Sequence, residues 1–183
     1  SVGIPARFVG TPSWYNNSGN HSWVEIWDGE WHFTGAAEPT EDRLNESWFE
    51  DLASKAEKGS DKYGIFAATW EHTDIYFPMD WLPGIKEYNA IDVTNRYKSS
   101  LVDDQFVPIR VRALDSSGIR RQVKVIIYGE NNFTKQGFSK DETCDANDHL
   151  TFMVPKGETF TLQSKKMTKI IKADKEKLIN LEI

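Results

Sequence analysis

His21-Ser22-Trp23-Val24-Glu25-Ile26-Trp27 alternates along its length, and after Asp28-Gly29 the alternation resumes through Glu30-Trp31-His32-Phe33-Thr34-Gly35. A period of two sends successive side chains to opposite faces of a strand, and Asp-Gly between two such runs provides the positive φ that a type I′ turn needs. The segment is expected to be a tight β-hairpin with a histidine at its open end. With Asp28 and Gly29 as the two loop residues, Trp27 faces Glu30, Glu25 faces His32, Trp23 faces Thr34 and His21 faces Ala36. One face then carries Ser22, Val24, Ile26, Trp31, Phe33 and Gly35 and is expected to be the buried one. The other carries His21, Trp23, Glu25, His32, Thr34 and Ala36, and one further step adds Glu38, diagonal to His21. Diagonal neighbours lie roughly 7–8 Å apart, a gap that long side chains cross.

Charge and aromatic content divide the chain in two. Residues 1–88 carry 6 Lys+Arg against 15 Asp+Glu, a net of −9, while residues 89–183 carry 16 against 13, a net of +3. All seven tryptophans stand at or before Trp81. The expected domains are therefore 1–88 and 89–183. The acidic, aromatic half is a poor nucleic-acid binder, because neutralising phosphates needs a basic face. No apolar run is long enough for a membrane span, and the N-terminus has no signal-peptide pattern. The one cysteine, Cys144, excludes an internal disulfide.

Arg7-Phe8-Val9-Gly10 reads as a short strand, and Asn16-Asn17-Ser18-Gly19-Asn20 as a loop carrying Trp14 and Tyr15 ahead of the hairpin. Ser47-Trp48-Phe49-Glu50 fits a capping box opening one short helix that ends before Gly59. Tyr63 to Trp70 has strand character, and the prolines around Ile75–Gly84 mark a winding connection. From Ala90 onward the spacing predicts strands at Phe106–Leu114, Gln122–Tyr128, Leu150–Val154, Thr159–Gln163, Thr168–Ile171 and Leu178–Ile183, the profile of a small antiparallel β-sandwich.

Gly3-Ile4-Pro5-Ala6-Arg7 followed by His21-Ser22-Trp23-Val24-Glu25 resembles the second half of a transglutaminase-like thiol enzyme, over about residues 3–40. The resemblance implies an α+β fold: the antiparallel-sheet portion of a papain-like, transglutaminase-like core with one short helix, here followed by an all-β sandwich. The sandwich is similar in pattern to carboxypeptidase-regulatory-like or immunoglobulin-like accessory modules. In the family a cysteine at the start of a core helix attacks an amide carbonyl, a histidine helps to form the thiolate, and an acid orients the histidine. By resemblance His21 is the histidine and Glu38, in Glu38-Pro39 where the family has Asp-Pro, is the acid.

The helix with the nucleophile precedes the Gly-Ile-Pro-Ala-Arg segment in the family, so this chain is expected to be an inactive fragment, its partner a missing N-terminal segment that bears the cysteine. Its substrate is expected to be a peptide or protein, with hydrolysis and transfer to an amine both open. Cys144 stands among Asp141, Glu142 and Asp145, which oppose thiolate formation, and reads as an inert turn residue. Trp14, Tyr15 and Trp23 are the candidates for a substrate cleft, packing being the other reading for large aromatics and the favoured one for Trp27. His32 shares the face of His21, yet no Cys/His cluster accompanies them, so neither a metal nor a cofactor is expected. An extracytoplasmic location, periplasmic or secreted, follows by analogy with proteins that pair such modules. The alternative from another class is a catalytically inactive peptide- or glycan-binding module with the sandwich as spacer.

Overall fold

The computed structural model describes residues 3–35, 43–79, 81–82, 84–98, 105–165 and 167–183. The chain is β-rich, with two short helices among the described residues, and it divides into two compact units, Ser1–Leu101 and Val102–Ile183. The division falls at 101/102 rather than 88/89. Ala90–Asp92, expected to open the second domain, instead pairs with the first unit's sheet.

The first unit is a five-stranded antiparallel sheet. In chain order its elements are β1 (Ala6–Thr11), β2 (His21–Trp27), β3 (Trp31–Thr34), α1 (Glu50–Ser54), β4 (Phe66–Ala68), β5 (Ala90–Asp92) and α2 (Thr94–Tyr97), with strands ordered β3-β2-β1-β4-β5. Both faces of the sheet are covered. One packs on Trp14, Phe49, Leu52, Ala53 and Tyr97, and the other on Phe77, which lies against Phe66 and Ala90.

The hairpin forms, with its register shifted by one residue from the expected pairing. Trp27 pairs with Trp31, Ile26 with His32, Glu25 with Phe33 and Val24 with Thr34, so Asp28, Gly29 and Glu30 make a three-residue turn. Gly29 alone in that turn takes a positive φ (79°), and the Asp28 N–H donates to the Glu30 carbonyl at 3.0 Å. A one-residue slip moves every side chain of β3 to the other face. The aromatic burden decides the register, since it puts Trp31 and Phe33 with Trp23, Phe33 reaching Phe49 and Tyr97 at ring separations of 5.6 and 5.4 Å. The buried face is consequently the one with His21, Trp23 and Glu25, whereas Ser22 is exposed and Val24 and Ile26 are half-buried. His32 lies on the face opposite His21.

The expected capping box is half formed. Glu50 Oε1 accepts the Ser47 N–H at 2.9 Å, yet the helix starts at Glu50 and the Ser47 hydroxyl caps nothing.

The second unit contains β6 (Phe106–Leu114), β7 (Lys124–Tyr128), β8 (Thr134–Phe138), β9 (Leu150–Pro155), β10 (Thr159–Gln163), β11 (Thr168–Lys172) and β12 (Lys177–Glu182). These form a four-stranded sheet, β11-β10-β7-β8, and a three-stranded one, β12-β6-β9, which share one core of Val, Ile, Leu and Phe side chains. It is a β-sandwich. It departs from a wholly antiparallel one in that β12 runs parallel to β6. β8 escapes the sequence pattern because TKQGF has no apolar alternation; its Gly137 leaves the space that Leu150 fills, a Cβ there falling 2.5 Å from Leu150 Cδ1.

Candidate functional site

β1 and β2 pair so that Arg7 lies opposite Glu25, Val9 opposite Trp23 and Thr11 opposite His21. These pairs stack in a row along the buried face, and His21 ends it. Its ring stands 4.7 Å from that of Trp48, 5.2 Å from Phe49, 6.0 Å from Trp23 and 6.2 Å from Trp14. The imidazole is half-buried, at the edge of an aromatic cluster rather than within it.

Behind the histidine the sheet buries a carboxylate. Glu25 is 2% exposed, takes an Arg7 Nε hydrogen bond at 2.6 Å through Oε2, and accepts the Tyr97 hydroxyl at 2.7 Å through Oε1. The Trp23 indole N–H donates in turn to the Tyr97 oxygen at 2.7 Å. Burial, and then the Glu25 charge beside it, push the Tyr97 hydroxyl far above the ordinary phenol range, so it stays protonated and keeps donating. The Arg7 guanidinium also lies over the Trp31 ring, 3.9 Å from its centroid. A buried ion pair is tolerable only when most of its polar atoms are satisfied; here the indole, the phenol, the carboxylate and the Arg7 Nε are hydrogen-bonded, while Arg7 Nη2 is buried against Glu25 Oε2 as an ion pair with no hydrogen bond of its own. It locks β1 to β2 and holds the strand that ends in His21.

α2 brings Tyr97 to this place. The Thr94 hydroxyl accepts the Ile65 N–H at 2.9 Å and Asp92 Oδ1 accepts the Thr94 N–H at 2.9 Å, which fixes the turn just ahead of Tyr97. Sequence reasoning missed Tyr97, 72 residues from its partner, and gave no role to Arg7 or Glu25. The available signal was a charged residue inside a tryptophan-rich alternating run, on the face now known to be buried.

Of the other expected site residues, Trp14 and Trp23 are packed in the core, 1% and 0% exposed, and offer no open face. The Trp14 indole N–H is buried next to His21 with no hydrogen-bond partner. Tyr15 is half-buried and accepts a hydrogen bond from Lys55 Nζ at 3.2 Å. Trp27, expected to pack, is 44% exposed. Glu38 lies outside the described residues, and the shifted register removes the pairing argument that put it on the face of His21. His32 is held through Nδ1 by Asn45 Nδ2 at 2.8 Å. Among the described residues no three His, Cys, Asp or Glu side chains come together as a metal site.

Cys144 belongs to the second unit, where its carbonyl and those of Asp145 and Asp148 accept hydrogen bonds from the Arg120 guanidinium. No helix among the described residues is long and apolar enough to cross a membrane.

No family model matches the chain, and no curated protein matches it. Among solved structures, a C-terminal fragment of the pilus adhesin SpaC from Lactobacillus rhamnosus GG is similar over 92% of this chain and 74% of that one, at 9% identity and a TM-score of 0.31. A likeness of that degree carries no argument about what this chain does.

Proposed function

We propose that the first unit presents the histidine half of a Cys-His-acid acyl-transfer site in a papain-like, transglutaminase-like core, with the nucleophilic thiol carried by polypeptide outside residues 1–183. The observation that supports this reading is the half-open imidazole of His21 on a sheet braced by a buried carboxylate, beside a buried indole N–H from Trp14 that lacks an acceptor. An unpaired buried donor costs about 1–3 kcal/mol, so an acceptor delivered to this spot by substrate or partner segment has a driving force. Glu38 is the proposed acid, and the substrate class is a peptide or protein amide. The 183 residues alone would turn nothing over.

In the proposed reaction His21 takes the proton of the thiol, and the thiolate sulfur attacks the amide carbonyl carbon. The C–N bond breaks as the imidazolium protonates the leaving amine. Water or an amine, deprotonated by the imidazole, then attacks the thioester, and the C–S bond breaks to return the thiolate. The sandwich would be an accessory module of the carboxypeptidase-regulatory-like or immunoglobulin-like kind, and the proposed location is extracytoplasmic.

In the full gene product, His21→Ala should lower amide hydrolysis or transfer by about 10²–10⁴-fold with folding nearly unchanged, and Glu38→Gln should cost less. Retained activity in His21→Ala would remove the role. A Ser, Ala or Gly at the nucleophile position would leave the inactive binding module as the better reading.

A further inference from the structure

At the other end of β1 from His21, a cavity of about 630 Å³ opens between the start of β1 and the adjoining ends of β4 and β5. Five strand steps lead from Ala6 to Thr11, which pairs with His21, and put the cavity roughly 17 Å from the histidine. It is lined by Phe8, on the sheet face that carries Phe77, by Trp31, on the face that carries Trp23, and by Trp70 and Tyr88, with Thr69, Glu87 and Asn89 among them. Trp70 is fully exposed, Tyr88 56% and Phe8 48%. Large rings left in water beside one concavity are a mark of a binding site, and the volume suits a small organic ligand.

The backbone that carries Trp70 and Tyr88 is fixed on the sheet. Ala68 pairs with Ala90, the Thr69 N–H donates to the Asn89 carbonyl at 3.0 Å, and the Phe77 N–H donates to the Tyr88 carbonyl at 2.8 Å. The backbone beside Trp70 and Tyr88 is thus already hydrogen-bonded, which disfavours a peptide adding to this edge as a strand. An anionic ligand finds little: the Arg7 guanidinium is committed to Glu25 and to the Trp31 face, and Glu87 contributes a negative charge. A single quaternary ammonium would leave most of so large an opening empty. What remains is flat aromatic faces fringed by a carboxylate acceptor and hydroxyls, the Asn89 amide oxygen being taken by the Thr73 N–H at 3.4 Å. That combination matches a neutral ring with one C–H face and hydroxyls that both donate and accept.

We propose that this pocket binds a neutral oligosaccharide, stacked on Trp70 and Tyr88 with its hydroxyls on Glu87. The proposal stands independently of the acyl-transfer reading and is tested on the 183-residue chain itself. Saturation-transfer NMR and tryptophan fluorescence titration would be run with cellotriose, maltotriose, xylotriose and the N-acetylglucosamine trimer, alongside choline and a tryptophan-containing tripeptide. At least one trisaccharide should bind, and Trp70→Ala and Tyr88→Ala should each weaken it by about tenfold or more, with far-UV circular dichroism unchanged because both side chains are exposed. Phe138→Ala, at an exposed ring in the second unit, should leave binding unaltered. Absence of trisaccharide binding up to about 10 mM, binding indifferent to Trp70→Ala, or a preference for choline or the tripeptide overturns the proposal.

Discussion

The two units bury different chemistry at their centres. The sandwich core is mainly aliphatic, with Ile109, Val111, Val125, Ile127, Leu162 and Leu181 at 0% exposure beside Phe152 and Phe160, and its buried charges stand outside that cluster, as with Asp148, which meets the half-exposed Lys140 at 3.1 Å. The first unit surrounds a carboxylate, a phenol and a guanidinium with tryptophans and phenylalanines. An aliphatic core is forgiving, since any group of about the right shape restores much of the stability. A buried polar network is not, because each member leaves its partner unsatisfied when removed. The first unit gives up tolerance for fixed side-chain positions, and the second keeps that tolerance.

The sharpest way to break this comparison is Glu25→Ala. It strands the Arg7 guanidinium and the Tyr97 hydroxyl in the core and should destabilise the first unit by about 3–5 kcal/mol. All seven tryptophans lie within that unit, so the denaturant midpoint of tryptophan emission reports it. A loss under about 1 kcal/mol would show that the network is incidental. Leu162→Ala in the sandwich should cost about 2–4 kcal/mol through the cavity it leaves, read by hydrogen exchange at Val125–Ile127, and Leu162→Met should restore most of it. No such rescue is expected at position 25, where even Gln cannot pair with Arg7 as an ion.

The smallest effect concerns pH. Burial holds the His149 imidazole below its ordinary value near 6.5, with Arg112, Arg120 and Arg110 adding to the depression against a raising hydrogen bond to the Asp148 carbonyl. The unfolded chain therefore binds this proton more readily than the folded one. Its contribution is present above about pH 6.5 and is lost as pH falls toward the folded value, so sandwich stability should decline on acidification and His149→Gln should flatten that decline. An unchanged slope in the variant would assign the acid sensitivity to other groups.

Much of the sandwich was legible because its strands alternate strongly and its turns carry Gly, Asp and Pro: Phe106–Leu114 and Thr159–Gln163 have the expected bounds. β8 was not, since an exposed polar edge strand has no hydrophobic period to read. In the first unit the hairpin was legible and its register was not. Asp-Gly indicates a two-residue turn, but the gain from burying Trp31 and Phe33 beside Trp23 outweighs local turn preference. That one-residue difference reversed the expected inside and outside of the hairpin. His21, Trp23 and Glu25 do share a face, as alternation requires. The Glu25–Tyr97 contact depends on a short helix far along the chain, which no local pattern encodes.

In the proposed site the His21 imidazole exchanges a proton with a thiol from outside these residues. The rate of iodoacetamide alkylation against pH, measured on the full gene product and its His21→Ala variant, tests it most directly. A histidine-coupled thiol should react well below the ordinary cysteine range, with an inflection under about pH 7 that moves toward about 8.5 in the variant. A gene product without a fast-reacting cysteine, or a profile that His21→Ala leaves in place, would contradict the account.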